Sequence, residues 1–182
     1  NVIKTELPGI LTYQELISIN RKPNSWDEVL RLHNLCHLCV IERHGKNGEF
    51  AHGFIKNFNL KAGAVASSVG HDAHNIIVAG LNTLDMNFAV DLINEYQGGI
   101  VIVNNGKLVS KVSLPIAGLL SDKKANEVAK DNKTFKESWT KSGCTLAYMG
   151  FNLLPLSVIP NLRLTNKGLV DVNKMTIIPL FE

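Results

Sequence analysis

Hydrophobic and polar residues alternate along several short stretches of the chain, a pattern that predicts β-strands. The clearest stretch covers residues 36–42, in which Cys36 and Cys39 are expected to project from opposite faces of a sheet. Small and branched residues predict two more strands at 64–69 and 76–78. A polar segment joins these two strands, so the pattern predicts a sheet with a polar turn at one end.

A β-hairpin is predicted between residues 100 and 114. Two apolar stretches, 100–103 and 108–114, flank the sequence Asn104-Asn105-Gly106. An Asn-Gly pair tolerates the positive φ angles of a tight turn, which makes this arrangement a strong hairpin signal.

Three segments show the start and stop signals of helices. Ser25 and Glu28 fit a capping box that begins a short helix ending at about residue 33. Asn82 can cap a second helix that stops at the Gly98-Gly99 pair. A third helix is predicted at about 123–142, with one apolar stripe formed by Ala125, Val128, Ala129, Phe135 and Trp139.

The remaining segments are less regular. Residues 53–60 are predicted to form a helical turn, and residues 1–22 an irregular lead-in with one strand, because Pro8 and Gly9 break the apolar pattern. The tail at 144–172 is apolar, and we expect it to pack on the sheet or against a partner missing from this chain. The elements together predict an α+β fold: a single domain with a mixed or antiparallel β-sheet and packed helices.

Composition narrows the class of protein. The 182 residues suit one domain, 45% of them hydrophobic and 19% charged, with a net charge of +3. The lysines are scattered, so a nucleic-acid partner is not expected. No apolar run has the roughly 18 residues that would span a membrane, and no leader opens the chain, so no membrane partner and a cytoplasmic location are expected. The chain begins at Asn1, which suggests a piece of a longer protein.

Three cysteines favour reduced thiols over a disulfide framework. The spacing of Cys36 and Cys39 matches a CxxC motif. Because the two side chains point to opposite faces of the predicted strand, and no second pair completes a zinc site, the motif is a poor chelator. We therefore interpret both as core thiols.

The candidate chemistry lies in the polar segment at 67–75, which runs from the end of the strand at 64–69 to the start of the strand at 76–78. It holds two imidazoles, a carboxylate, an amide and two hydroxyls, and a further polar pair ends the strand at 36–42. The residues alone leave three interpretations open: a polar turn bonded to its own backbone, a ligand or substrate contact, or a metal site with His71 and His74 as weak candidate ligands. The candidate residues are Arg43, His44, Ser67, Ser68, His71, Asp72, His74 and Asn75.

Several chemistries are excluded by motif. The chain has no P-loop, no GxGxxG and no GxSxG nucleophile elbow. Ser68, His71 and Asp72 contain the side chains of a hydrolase triad, but they are nearly adjacent, whereas a triad converges from separate elements.

An ordered set of rare strings carries a resemblance to a known family. The strings ERHG, SSVGHDAHN, LPIAGL and VIPNLRLT occur in this order within residues 38–172. The chain resembles the C-terminal domain of bacterial adenine deaminase, which would make residues 1–182 that domain, with 1–37 a less certain lead-in. Gly70 and Ala73 depart from the family pattern SVAHDSHN without removing a titratable group.

The resemblance implies a metal-dependent amidohydrolase that converts adenine to hypoxanthine and ammonia in purine salvage. The implied cofactor is a divalent metal (manganese, iron or zinc). It is bound in a barrel domain by a set of ligands that includes a His-x-His pair. None of the six histidines here makes that pattern. The resemblance therefore implies that the barrel is missing from this chain, that the chain binds no cofactor, and that it is inactive alone.

Two roles for the polar segment follow from the resemblance. Arg43, His44 and the loop at 67–75 either face the barrel mouth, where they close the purine pocket or support the metal, or only fix the interface between the domains. A different class of function is a non-catalytic binding or oligomerisation module, because a missing domain leaves apolar surface exposed. The expected partners are the chain's own barrel, adenine and a second copy.

Overall fold

The computed structural model describes residues 1–6, 10–19 and 25–182. The helices are α1 Trp26–His33, α2 Thr83–Glu95, α3 Ala125–Lys141 and α4 Tyr148–Asn152. The strands are β1 Val2–Thr5, β2 Thr12–Glu15, β3 Leu35–Ile41, β4 Phe50–Lys56, β5 Ala64–Gly70, β6 Asn75–Gly80, β7 Gly99–Asn104, β8 Lys107–Ser113, β9 Leu162–Thr165, β10 Gly168–Asp171 and β11 Thr176–Ile178.

Eight strands form one sheet in the order β2-β1-β4-β3-β6-β5-β7-β8, and three form a smaller sheet in the order β11-β10-β9. The β1–β4 pair is parallel and the other pairs of the large sheet are antiparallel. This confirms the predicted single α+β domain with a mixed sheet.

Both faces of the large sheet are covered at its centre. Helix α2 packs on β5, β6 and β7, burying Met86, Ala89 and Ile93. The opposite face carries α3, α4 and the small sheet, with Phe135 and Phe151 among its fully buried side chains. Because β5 and β6 are buried on both faces, their sequences are almost continuously apolar or small.

The predicted helix starts are confirmed. The Ser25 hydroxyl accepts a hydrogen bond from the N–H of Glu28, and the Asn82 side chain accepts one from the N–H of Asp85 at 2.8 Å. Asp85 also accepts hydrogen bonds from the N–H groups of Asn105 and Gly106, so this helix start holds the tip of the predicted hairpin. The hairpin and the strands at 36–42, 64–69 and 76–78 are likewise present.

Three predictions for segments were wrong. Residues 53–60 do not form a helical turn: residues 53–56, half of the segment, belong to β4, which pairs with β3 along its whole length. The lead-in at 1–22 contains two strands rather than one, and Pro8 and Gly9 lie outside the described residues. The stripe on α3 is buried only at Phe135 and Trp139, and its alanines near the start of the helix are exposed.

The apolar tail packs on the sheet, which was one of its two predicted positions. Leu154, Leu162 and Leu164 join the same core cluster as the central strands. All three cysteines are free thiols. Cys36 and Cys39 face different core clusters, as predicted, and burial raises the pKa of these thiols to about 12 and about 11.

No helix in the described ranges has the length and apolar character needed to cross a membrane.

Candidate functional site

The polar segment predicted from sequence forms the turn between β5 and β6. In the sheet, Ile41 at the end of β3 pairs with Ile76 at the start of β6. The residues that follow β3 therefore lie beside this turn, and strand pairing brings Arg43 and His44 next to His71 and His74. We call these four residues, together with Asp72, the histidine cluster.

Arg43 and His44 hold the turn by its backbone. The Arg43 guanidinium donates to the carbonyl oxygens of His74 and Ala117, the latter at 2.8 Å. The His44 Nε2 lies 2.7 Å from the Ala73 carbonyl oxygen, so Nε2 carries the proton and donates it to that bond. Burial lowers the pKa of Arg43. Gly118 has a φ of +74°, and a Cβ there would stand 2.7 Å from the guanidinium, so glycine is what lets this loop approach Arg43.

Glu42 fixes the chain just before these two residues. Its buried carboxylate accepts hydrogen bonds from the backbone N–H groups of His44, Lys46, Asn47 and Gly48. Burial by itself raises the pKa of this carboxyl, but the four donors outweigh burial and the pKa lies below its usual value. Sequence reasoning missed Glu42; the turn residues Gly45 and Gly48 that follow it were the available signal.

We predict that Glu42→Gln is less stable than the wild type at pH 7. A lowered folded-state pKa means that the carboxylate stabilises the fold above its unfolded pKa of about 4.5, and that this contribution is lost as the pH falls through the folded pKa. The difference in urea midpoint between the two proteins should therefore narrow below pH 4.5. Glu137→Gln, on the exposed face of α3, is the control; an equal, pH-independent loss in both variants would contradict the prediction.

His71 and His74 lie against each other, with ring centroids 5.1 Å apart. The His71 Nδ1 is 3.6 Å from an oxygen of Asp72, whose side chain is 78% exposed. Burial lowers the pKa of His74, and His71 and Arg43 lower it further against the opposing effect of Asp72. His74 is therefore a neutral imidazole at pH 7, and its buried Nδ1 has no hydrogen-bond partner within the described part of the chain.

Ser67 and Ser68, two of the predicted site residues, form hydrogen bonds with backbone groups. Both are fully buried. The Ser68 hydroxyl donates to the Gly118 carbonyl oxygen at 2.6 Å and accepts from the Gly99 N–H at 2.8 Å. Ser67 accepts from the N–H of Val69. Ser68 thus ties the loop that contacts Arg43 to the central sheet.

We predict that Ser68→Ala lowers the free energy of unfolding by about 1–3 kcal/mol, because it leaves a buried N–H and a buried carbonyl without a partner. Urea denaturation followed by circular dichroism measures the change. Ser121→Ala, at a more exposed turn, should cost less than about 0.5 kcal/mol. Equal losses in the two variants would show that the two buried bonds contribute nothing.

Asn75 lies at the edge of a cleft of about 400 Å³ beside the histidine cluster. Its side-chain amide donates to the Asn166 oxygen at 3.1 Å, which links the β5–β6 turn to the small sheet. The cleft also has apolar walls, among them Pro155 and Val158, and Asp72 stands at its border. It is of the size and mixed character in which proteins bind small molecules.

The histidine cluster does not by itself fit a catalytic metal. Among the residues that the structure describes, no group of three or more His, Cys, Asp or Glu side chains could hold a metal ion. Catalytic sites generally need about three converging protein ligands. His71, Asp72 and His74 therefore fit a role in positioning or hydrogen bonding better than the role of a complete metal centre.

Apolar side chains surround the histidine cluster at the same end of the sheet. Phe50, which pairs with Ile41, is 67% exposed, and Ile116 and Leu120, on either side of Ala117, are 50% and 63% exposed. Exposed apolar side chains that lie close together are typical of a docking surface.

Fold and site together define an α+β domain that presents a histidine loop at one end of its sheet, without a complete metal centre in its described part. A family model described as the adenine deaminase C-terminal domain matches residues 10–176. The chain belongs to this family, which confirms the resemblance read from its motifs.

Curated relatives agree with the family. The chain is 56% identical over its full length to adenine deaminase 2 of Bradyrhizobium sp. (strain ORS 278) and 56% identical to adenine deaminase of Chelativorans sp. (strain BNC1), covering 30% of each. It is 44% identical to adenine deaminase of Clostridium botulinum (strain Langeland) over 78% of this chain and 24% of the relative. The chain thus spans about 30% of the length of the first of these relatives.

Proposed function

We propose that this chain is the C-terminal part of a protein that hydrolyses adenine to hypoxanthine and ammonia. The observation that carries the proposal is the 56% identity, over the whole of this chain, to relatives named adenine deaminase. Water adds at the ring carbon that bears the amino group, and that group leaves as ammonia. A divalent metal held by the preceding part of the protein would supply hydroxide at neutral pH.

The histidine cluster, in this proposal, faces the catalytic domain and helps to close its purine pocket. The imidazoles are held in place, because Arg43 and His44 bond to the carbonyl oxygens of His74 and Ala73. A neutral imidazole such as His74 can donate one hydrogen bond and accept another, which suits the ring nitrogens of a purine. The exposed Phe50, Ile116 and Leu120 around the cluster would pack against the catalytic domain.

A chimera tests the proposed activity. This chain would replace the matching C-terminal 30% of the Bradyrhizobium relative, which supplies the preceding region. We expect the chimera, loaded with manganese, iron or zinc, to release ammonia from adenine, and this chain alone to release none. The controls are the intact relative and the relative truncated before its C-terminal region. Metal-dependent turnover by this chain alone, or an inactive but folded chimera, would contradict the proposal.

A second candidate function is self-association through the same end of the sheet. The exposed Ile116 and Leu120 favour it, because exposed apolar side chains can pair with a second copy of the chain. Sizing by light scattering, with Leu120→Glu as the variant, distinguishes the two. A dimer that dissociates in the variant supports self-association, and a monomer at all concentrations removes this candidate.

A further inference from the structure

A second pair of histidines lies on the face of β3 and β4 that also carries Phe54, away from the histidine cluster. His37 and Cys39 are two residues apart on β3 and so share a face of the sheet. On β4, His52 is the direct partner of Cys39 in the strand register. Two imidazoles and a thiol therefore project from adjacent strands on one side of the sheet, an arrangement that the CxxC spacing in the sequence does not reveal.

The two rings meet at their nitrogens. The His37 Nδ1 lies 2.9 Å from the His52 Nε2, and both side chains are partly buried. Phe54 packs against both rings, with its centroid 4.9 Å from that of His52, and Trp26 stacks on Phe54. The aromatic contacts hold the imidazoles in this orientation before any ligand arrives, which lowers the entropic cost of binding.

This separation is that of a hydrogen bond between the two rings, and it also matches the spacing of two nitrogens that bind one metal ion. Imidazole nitrogens bind zinc at about 2.0–2.1 Å, so two nitrogens at a right angle around one ion stand about 2.9 Å apart, and about 3.3 Å apart in a tetrahedral site. We propose that His37 and His52 form a site for a borderline divalent cation such as Cu²⁺ or Zn²⁺. The site goes beyond the proposed deaminase function and does not depend on it.

The proton balance of binding is simple. One of the two facing nitrogens now carries the hydrogen that they share, and on binding the metal takes its place while that ring is protonated on its other nitrogen. Burial lowers the pKa of His37 against the opposing effect of Asp27 on α1, and burial together with His37 brings the pKa of His52 to about 4.

The two imidazole ligands determine which divalent ions the proposed site prefers. Imidazole suits Cu²⁺ and Zn²⁺, and affinity along the first-row series is highest for Cu²⁺ and lowest for Mn²⁺. Because the described residues contain no third ligand within reach, water or a small ligand would complete the coordination. Cys39 is adjacent, but it does not complete a group of three side chains that could hold a metal ion among the described residues.

Metal titration of this chain tests the proposal. With Zn²⁺ in equilibrium dialysis, and with Cu²⁺ on the Cys39→Ser variant to avoid thiol oxidation, we expect one bound ion, and none with Mn²⁺. His37→Gln and His52→Gln should each weaken binding by at least about tenfold, the lower end of the losses seen when a metal site loses even a supporting group. His33→Ala, on α1, and His71→Ala, in the histidine cluster, should bind as the parent does.

A spectroscopic readout covers the case in which a variant fails to fold. The Cu²⁺ electron spin resonance spectrum of Cys39→Ser should carry the hyperfine pattern of two imidazole nitrogens, with no histidine changed. A spectrum without that pattern, no stoichiometric Zn²⁺, or binding lost in His71→Ala but retained in folded His37→Gln would overturn the proposal.

Discussion

Replacing Arg163 with alanine is expected to lower the free energy of unfolding by about 3–5 kcal/mol, near the upper end of single-residue effects. Arg163 is fully buried in β9. Its guanidinium donates to the carbonyl oxygens of Leu153, Ile159, Pro160 and Ile10. Burial lowers its pKa to about 10, so the group remains charged at neutral pH. Alanine would leave a cavity and four carbonyls without this donor.

Urea denaturation of Arg163→Ala and Arg163→Lys measures this effect. Lysine keeps the charge but lacks the planar fork of five donors, so we expect it to recover only part of the loss. Arg31→Ala, on the exposed side of α1, is the matched control and should change stability by less than about 0.5 kcal/mol. A loss below about 1 kcal/mol in Arg163→Ala would mean that water replaces the guanidinium at little cost.

In the chimera with the Bradyrhizobium relative, His71→Ala and His74→Ala are expected to lower the turnover of adenine at least about 100-fold, the lower range for loss of a group that handles a proton or a hydrogen bond in the transition state. Asp72→Ala should lower turnover as well, because its carboxylate lies 3.6 Å from the His71 ring. The unfolding midpoints should stay close to that of the parent, since these side chains are not part of the core.

Initial rates at saturating and limiting adenine separate the two roles left open for the loop. A fall in kcat with intact folding supports direct closure of the purine pocket. Near-normal kcat with a lower midpoint, or dissociation of the domains, would mean that the loop only fixes the interface. His33→Ala on α1 and Asp122→Ala before α3 are the matched controls, because both lie outside the histidine cluster.

Elements with local signals were predicted well from the sequence. Ser25 and Asn82 begin their helices because a side-chain oxygen and an N–H three residues away suffice to form a cap. The hairpin at Asn105 and Gly106 follows in the same way from turn chemistry. The prediction of a helical turn at 53–60 was wrong because Phe54 and Ile55 are both buried, on opposite faces of β4. This burial removes the alternation of apolar and polar residues that identifies a strand.

The sequence by itself determined the fold class, the family and the concentration of imidazoles between β5 and β6. These are encoded in short-range patterns and motif strings, which require no knowledge of distant contacts. Only the tertiary structure decided what the polar residues do. It brought Arg43 to the loop, committed Ser68 to the backbone, placed His52 against His37, and gave Arg163 four carbonyl partners. The physical reason is that strand register and layer packing bring together residues far apart in the chain, and no local pattern specifies either.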